Sequence, residues 1–347
     1  MENKLRVGIA GVGGVGHRHI DGAVFAPHAE LVALFDPRGQ ACVRDRDKIA
    51  KHYHADYADI EVPNVPIFTD YTTMLEQCEM DAVIIASPDE THCQYTIQAL
   101  KKGLHVLCEK PLALNNKEAV LMVQAARESG KGFYVGQVCR FSPAFRKAKE
   151  ILESGKIGDV FCVETQYVHG CHKNLPADDW RRQPPRHATA CGGVHAIDLM
   201  RYFIGDPKEV FAVGNRMCRT DWEVEDCSEA IFKFPNGAIG RALTTIGCVS
   251  EYSMRTVIYG TKGTVFANNT SDTVTVYTEE QGNETYEVPV ATHNTTMQIE
   301  QMCQAVLFGA TVEHEGLEGA KSLFVCDAAI HSIETGEVVQ IDFSELE

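Results

Sequence analysis

One short stretch near the start of the chain, GVGGVG at residues 11–16, constrains the fold more than any other. It matches the pattern G-x-G-x-x-G, follows the apolar run LRVGIA and leads into the helical pattern HRHIDGAVFA. A second apolar run ends at Asp36, 20 residues after Gly16. In a dinucleotide-binding βαβ unit, such glycines let the backbone approach a pyrophosphate at a helix N-terminus, and the acidic residue binds ribose hydroxyls. The expected dinucleotide contacts are therefore Gly11, Gly13, Gly14, Val15, Gly16 and Asp36.

Asp36 also bears on which dinucleotide is bound. A carboxylate at this position repels the 2′-phosphate of NADP, so NAD is the expected cofactor and NADP is the less favoured alternative. Arg38 lies two residues further on, where it stacks on adenine or, as the less favoured alternative, meets a phosphate. The remaining alternative is a glycine turn that binds no phosphate, beside a surface aspartate.

The patterns along the chain predict two domains. Up to residue 138, apolar runs alternate with amphipathic helical patterns, as in a parallel sheet that is covered on both faces. After about residue 155, longer strand patterns are joined by turn signals such as PNG and TKG, which indicates mainly antiparallel pairing. We therefore expect a doubly wound Rossmann domain at residues 1–138 and an α/β domain with a large, mainly antiparallel sheet at residues 139–347. A length of 347 residues suits two hydrophobic cores.

Composition argues against several classes of protein. Acidic residues outnumber basic ones by 48 to 32, and the net charge of −16 disfavours a surface for nucleic acid or for an anionic membrane. The sequence shows no signal-peptide pattern and no membrane-length apolar span, so we expect a cytoplasmic protein. The 13 cysteines are scattered singly, which favours reduced, mostly buried thiols. No metal is expected, because there is no CxxC pair and the adjacent ligands of HGCHK at residues 169–173 seldom close a tetrahedron.

Two further segments place polar residues where strands of the predicted parallel sheet end. Ser87, Pro88 and His92 follow one strand, and Lys110 in CEKPL follows the next. Ligands of open α/β sheets bind at these carboxyl ends. The ammonium of a lysine there can hydrogen-bond an oxygen that gains negative charge as hydride moves. A lysine that only binds cofactor phosphate, or only closes a salt bridge, is the alternative.

These motifs resemble those of the Gfo/Idh/MocA oxidoreductase family, the relatives of glucose–fructose oxidoreductase and inositol dehydrogenase. The resemblance covers nearly the whole chain. The stretches that carry it are GVGGVG, SPDETH, EKPLALN, VGQVCRFSPAF, DDWRRQPP, GGVHAIDLMRYFIGD and GEVVQID. It implies a Rossmann domain followed by an α/β domain whose open sheet joins subunits into a homodimer or a homotetramer.

The resemblance also implies roles for individual residues. Lys110 is the expected catalytic lysine, and Glu109 and Pro111 set its geometry. His195 aligns with a catalytic histidine that handles the proton of the substrate hydroxyl. The cofactor contacts that the resemblance implies are Ser87, Pro88, His92, Glu109, Lys110, Arg140, Trp180 and Arg181.

His195 lies in the stretch ATACGGVHAID, and its position allows a structural or a catalytic interpretation. Val194, Ile197 and Met200 form an apolar stripe at helical spacing, and His195 falls on another face of that helix. On the pattern alone, a histidine at a helix N-terminus is more often structural than catalytic. The resemblance favours the catalytic interpretation.

Cys191 marks the point where the chain departs from the family pattern. Many members carry an aspartate there, four residues before the histidine. A thiol is mostly neutral at pH 7 and cannot act as that carboxylate. Either His195 and Lys110 handle the proton, or the protein is not a standard dehydrogenase.

The function we expect is an NAD-dependent oxidoreductase that transfers hydride from a secondary hydroxyl of a sugar, glycoside or cyclitol to the nicotinamide. Its partner is then a small carbohydrate or polyol, with neither nucleic acid nor membrane involved. One alternative is a 3-keto-forming enzyme that oxidises a glycoside and so activates glycosidic bond cleavage. A second alternative is a non-catalytic NAD or sugar sensor. The expected substrate contacts are Tyr167, His169, Cys191 and His195.

Overall fold

The computed structural model describes residues 3–44, 61–170, 181 and 185–347. The chain divides into two compact units, the first formed by Met1–Val138 with Asn294–Ala320 and the second by Cys139–His293 with Lys321–Glu347. The division after Val138 lies where the predicted domains meet. Residues 294–320, which the sequence pattern assigned to the second domain, group with the first unit instead.

The first unit contains a parallel sheet. Its strands within the described residues are β1 (Leu5–Ala10), β2 (Ala29–Phe35), β3 (Ile67–Phe68), β4 (Ala82–Ile85), β5 (His105–Cys108) and β6 (Phe133–Val135). They are ordered β3-β2-β1-β4-β5-β6, and every neighbouring pair is parallel. This order confirms the doubly wound Rossmann fold. Strands β2 and β3 are added on one side of β1, and strands β4 to β6 on the other side. The strand order therefore reverses between β1 and β4, which is where such sheets bind ligands.

The helices of the first unit follow the strands as the sequence pattern predicts. Those in the described residues are α1 (Gly14–Phe25), α2 (Ala41–Arg44), α3 (Tyr71–Gln77), α4 (His92–Lys101) and α5 (Asn116–Ser129). The side chain of Asn115 caps α5 by accepting from the N–H of Glu118, and Gly130 ends this helix in the left-handed conformation at φ +65°.

A later segment completes the core of the first unit. The next helices along the chain are α6 (Pro143–Glu153), α7 (Ala188–Cys191) and α8 (Val194–Ile204), which belong to the second unit. The later segment is α9 (Thr295–Phe308). Helix α9 packs on α1, and its Ile299, Met302 and Cys303 are buried with Ile20. This burial is why residues 294–320 group with the parallel sheet, although they follow the second sheet in the sequence.

The second unit contains a mixed sheet. Its strands in the described residues are β7 (Val160–Val168), β8 (Glu209–Asn215), β9 (Cys227–Lys233), β10 (Ile239–Thr245), β11 (Arg255–Gly260), β12 (Gly263–Asn268), β13 (Thr273–Thr278), β14 (Gly282–Glu287) and β15 (Val339–Gln340). The order is β14-β13-β12-β11-β7-β10-β9-β8-β15. Only β7 and β10 pair in parallel among these strands, which confirms the predicted mainly antiparallel sheet.

The two faces of this sheet differ. Helix α8 packs on β7 and β10 over the face that includes Val163 and Ala242, both buried. The last α-helix of the described residues, α10, is formed by Gly316–Thr335. Residues that alternate with the buried ones point to the opposite face, where Ile231 and Phe266 are exposed. We call this opposite side the open face.

Two further expectations concern the whole chain. None of the helices in the described residues has the length and apolar composition that crossing a membrane requires. Each of the twelve cysteines in the described residues is a free thiol, as predicted, but Cys218 is exposed and several others are half-buried rather than buried.

Candidate active site

The glycines after β1 shape the start of α1 for a dinucleotide. Gly11 has φ +96°, and a Cβ on it would lie 2.5 Å from the backbone nitrogen of Ser87. A Cβ on Gly16 would lie 2.0 Å from the carbonyl oxygen of Gly11. These two glycines therefore close the turn. A Cβ on Gly13 would meet no described atom within 4 Å, so the space at the N-cap of α1 is open to a pyrophosphate.

Two further residues of the glycine motif, Gly14 and Val15, lie in the first helical turn of α1. Gly14 begins the helix and Val15 is exposed on it. The N-cap residue is Gly13, which has no side chain that could cap the helix. The positive end of the helix is thus presented by backbone N–H groups, as the binding of an anionic group requires. The residues present fit the dinucleotide that the sequence predicts.

Asp36 follows β2 and its carboxylate is held by several donors. Its Oδ2 accepts from the N–H of Val12 at 2.9 Å, and Arg38 donates from Nε to Oδ1 at 2.8 Å and from Nη2 to Oδ2 at 2.9 Å. Burial alone raises the pKa of such a carboxyl, but the hydrogen bonds from Arg38 and Val12 lower the pKa of Asp36 below its usual value. Asp36 is therefore a fixed anion beside the glycine turn.

His92 links the ends of β4 and β5. Its Nε2 lies 3.0 Å from the carbonyl oxygen of Ser87, and its Nδ1 lies 2.9 Å from that of Pro111. Both carbonyls only accept, so the doubly protonated ring satisfies both contacts. Burial lowers the pKa of His92, but Cys108, the charge of Asp89 and the Ser87 carbonyl raise it to about 9. Pro88, exposed beside Ser87, precedes a short 3-10 helix.

Glu109 holds the segment that carries Lys110. Its Oε1 lies 2.8 Å from the Nε2 of His19 on α1, and its Oε2 accepts from the N–H of Lys110 at 3.0 Å. Burial raises the pKa of Glu109, but the contact with His19 outweighs this and lowers it. Lys110 itself is half-buried, and its bond to Pro111 is cis. The sequence reasoning missed His19, which lies inside the helix after the glycine turn.

His195 is buried near the start of α8 in the second unit, with 4% of its surface exposed. Its ring stacks on Tyr167 with centroids 5.8 Å apart and faces His293 edge-on at 6.4 Å. The hydroxyl of Tyr167 lies 2.9 Å from Nδ1 of His169, and Tyr252 lies against both His169 and His293. We call Tyr167, His169, His195, Tyr252 and His293 the ring cluster.

Two glycines before His195 explain how it reaches the cluster. A Cβ on Gly192 would lie 2.4 Å from Cε1 of Tyr167, and a Cβ on Gly193 would lie 2.3 Å from Oγ1 of Thr244. Any side chain there would push α8 away from β7 and β10. The pair of glycines therefore allows His195 to stack on Tyr167.

Cys191 is the last residue of α7 and is half-buried. Its N–H donates to the carbonyl oxygen of His187 at 2.9 Å, which completes the short helix. A different group contacts His195: the Sγ of Cys139 lies 3.4 Å from its Nδ1. The sequence reasoning singled out Tyr167, His169 and His195 but missed Cys139, Tyr252 and His293.

Arg140 forms a buried ion pair with Asp198. Its Nε and Nη2 donate to the two carboxylate oxygens at 2.8 and 2.7 Å, and Ser322 donates to the same carboxylate at 2.8 Å. These two hydrogen bonds connect Arg140, which follows Cys139 in the chain, to α8. The predicted contact of Arg140 with the cofactor stays a prediction. Of the other predicted contacts, Arg181 is half-buried and Trp180 lies outside the described residues.

Comparisons with known proteins show which sequences and folds this chain resembles. The family model described as an oxidoreductase family, NAD-binding Rossmann fold, matches residues 5–137, and the GFO/IDH/MocA C-terminal domain matches residues 145–266. The chain is 29% identical to myo-inositol 2-dehydrogenase of Thermotoga maritima over 293 residues, 80% of each chain. It is 25% identical to scyllo-inositol 2-dehydrogenase (NAD(+)) of Bacillus subtilis over 99% of this chain and 98% of that one. Levoglucosan dehydrogenase in complex with NADH and levoglucosan shares the fold, with a TM-score of 0.82, 21% identity and coverage of 98% and 100%.

Proposed function

Because the chain belongs to the Gfo/Idh/MocA oxidoreductase family, we propose that it is an NAD-dependent dehydrogenase that oxidises a secondary hydroxyl of a sugar, glycoside or cyclitol. The observation that carries this proposal is the ring cluster, which surrounds His195 with polar aromatic groups. Tyrosine and histidine rings offer both a stacking face and hydrogen-bonding atoms, as a polyhydroxylated ring requires. The relatives named for inositols and levoglucosan support the same substrate class.

His195 is the general base in the proposed mechanism. Bound NAD supplies the acceptor for the hydride that leaves the carbon atom. His195 takes the proton of the hydroxyl as that hydride leaves, so the C–H and O–H bonds break and a carbonyl group forms. Cys191 does not carry the proton, because a thiol is mostly neutral at pH 7.

Lys110 stabilises the oxygen that becomes negative in the transition state. Its ammonium donates a hydrogen bond to that oxygen, which lowers the barrier most where water is excluded. Glu109, held by His19, fixes the backbone from which Lys110 extends. Glu109 is therefore a positioning residue.

NAD is the proposed cofactor, in preference to NADP. The carboxylate of Asp36 is ionised beside the glycine turn, where it accepts hydrogen bonds from ribose hydroxyls and repels a 2′-phosphate. Arg38 neutralises part of this charge, but its guanidinium is already bonded to both carboxylate oxygens.

A second copy of the chain is the proposed occupant of the open face. Six apolar side chains on this face are each between 40% and 56% exposed: Phe211, Val213, Ile231, Ile239, Phe266 and Tyr277. Such a row of exposed apolar residues on one face of a sheet is typical of an interface between subunits. A homodimer or homotetramer formed through this sheet would bury the row.

The function is tested by NAD reduction with a panel of inositols, hexoses, sugar acids and glycosides. We expect one class to be oxidised, and kcat to fall by about 10²–10⁴-fold in Lys110→Ala and in His195→Asn. Lys102→Ala, at an exposed lysine after α4, is the matched control and keeps full activity. Full turnover in either variant contradicts the mechanism. Tight NAD binding without turnover on any class contradicts the dehydrogenase and favours a sensor, and a released aglycone indicates glycoside cleavage.

A further inference from the structure

Two sulfur atoms, from Cys139 and Met254, lie close to the ring of His195. The Sγ of Cys139 lies 3.4 Å from Nδ1 of His195 and 3.4 Å from Sδ of Met254. The hydroxyl of Tyr252 donates to the same Sδ at 3.0 Å. Cys139 is 1% exposed and Met254 is fully buried, so the thiol is shielded from water.

The hydrogen-bonding capacity of these groups allows one arrangement that uses both contacts of Cys139. The thioether of Met254 carries no hydrogen and only accepts. If the thiol donated to Nδ1 of His195, its lone pairs would face those of Met254. If the thiol donates to Met254, its sulfur accepts Nδ1–H of His195, and both contacts are hydrogen bonds.

From this geometry we propose that Cys139 fixes the tautomer of His195. The Nδ1 atom carries the hydrogen and points to sulfur, so the lone pair of the neutral ring lies on Nε2, the nitrogen that takes the proton. Cys139 is a positioning residue, and it serves as the orienting partner that other catalytic histidines find in a carboxylate. This inference rests on the proposed function of His195 as the base.

The sulfur partner has a second consequence. A neutral thiol stabilises an imidazolium less than a carboxylate does, so His195 gives up its proton more readily than a carboxylate-paired histidine. Among the described residues, Tyr167 and His293 of the ring cluster are titratable groups whose rings contact that of His195. On its own helix, Asp198 is paired with Arg140. A fixed carboxylate in place of Cys139 would therefore be the main new charge near the ring.

The tautomer is read directly by long-range ¹H–¹⁵N correlation spectra of protein labelled with ¹⁵N-histidine, with His195 assigned by its absence in His195→Gln. We expect the neutral ring to carry its hydrogen on Nδ1. Met254→Leu keeps the volume but removes the acceptor, which frees the thiol to donate to Nδ1 and shifts the ring towards Nε2–H. A wild-type ring with its hydrogen on Nε2, or one unchanged in Met254→Leu, overturns the proposal. This readout needs no turnover, so it stands even if the proposed function fails.

The kinetic test compares Cys139→Ala with Cys139→Ser. We expect kcat at pH 7 to fall about 10-fold in Cys139→Ala with KM for NAD within about 2-fold, and Cys139→Ser, which keeps a donor and an acceptor, to recover most of the rate. In Cys139→Asp we expect the kinetic pKa of the base to rise. Cys303→Ala removes a buried thiol in the first unit and is the matched control for packing. Equal losses in the Ala and Ser variants with unshifted pH profiles would mean that Cys139 only fills space.

Discussion

At the scale of single residues, two buried carboxylates of the first unit are held by short hydrogen bonds. Asp36 accepts from Val12 and Arg38, and Glu109 accepts from His19 and from the N–H of Lys110. Each carboxylate keeps its charge at neutral pH despite burial, because donors surround it. The sequence motif supplies the carboxylate, and the fold supplies the donors.

Replacing Asp36 should change the choice between NAD and NADP. In Asp36→Ser we expect KM for NAD to rise about 10-fold, because a charge-assisted hydrogen bond to the ribose is lost. The preference for NAD over NADP should decrease, because Arg38 loses its carboxylate partner and becomes available to the 2′-phosphate of NADP. Steady-state kinetics with both dinucleotides measure the change.

Asp70→Ser is the matched control for this change, since Asp70 caps α3 and serine also caps helices well. An unchanged ratio of kcat/KM values for the two dinucleotides in Asp36→Ser would exclude Asp36 from cofactor selection.

At the scale of secondary-structure elements, the ends of neighbouring strands are joined by side chains. His92, the first residue of α4, bonds to carbonyls that follow β4 and β5. In the second unit, Gly192 and Gly193 let α8 approach β7 and β10. The motifs SPDETH and GGVH thus act by fixing one element against another.

The contacts of His92 predict a loss of stability at alkaline pH. Its pKa is raised from 6.5 to about 9 in the folded protein, so its stabilising contribution is fully present below pH 6.5 and is lost as pH rises through about 9. We expect the free energy of unfolding of the wild type, relative to His92→Gln, to fall by up to about 3 kcal/mol across this range. Urea unfolding of both proteins at several pH values measures this difference.

Glutamine donates to a carbonyl but does not titrate, so any contact it fails to replace changes the stability equally at every pH, and only the pH-dependent part of the difference reports the charge of His92. A difference between the two proteins that stays constant from pH 6 to pH 10 would show that His92 is neutral in the folded state.

At the scale of the whole molecule, we propose that copies of the chain associate through the open face of the second unit. The net charge of −16 opposes non-specific association, so a contact between copies needs a specific apolar surface. In this proposal the exposed apolar row on the open face provides it. Its residues come from five different strands. Pairing brings β8, β9 and β10 together and brings β12 and β13 together, and β7 and β11 lie between these two groups.

A charge on this row should separate the subunits. We expect the wild type to sediment as a dimer or tetramer and Ile231→Glu to shift to a smaller species, because an unpaired carboxylate would be buried in the interface. Analytical ultracentrifugation measures both masses. Leu121→Glu, on α5, is the control, since Leu121 is 51% exposed and Ile231 is 52% exposed. A monomeric wild type, or equal behaviour of the two variants, would refute assembly through this face.

The sequence by itself determined the features that depend on local spacing. The glycine turn with Asp36 and the alternation of strands and helices predict the Rossmann fold, because each depends on residues close together in the chain. The stretch around Lys110 is equally local. The resemblance to one family followed from these motifs, and the family models confirm it.

The tertiary structure decided what distant residues do to one another. Residues 294–320 join the first unit because α9 buries Ile299 and Met302 there, although the order of the sequence places them after the second sheet. Cys139 contacts His195 across 56 positions, and His19 contacts Glu109 across 90. No local pattern encodes such pairs, because a side chain finds its partner only when strands and helices pack. The sequence therefore named His195 as the candidate base, and packing alone gave it a sulfur partner.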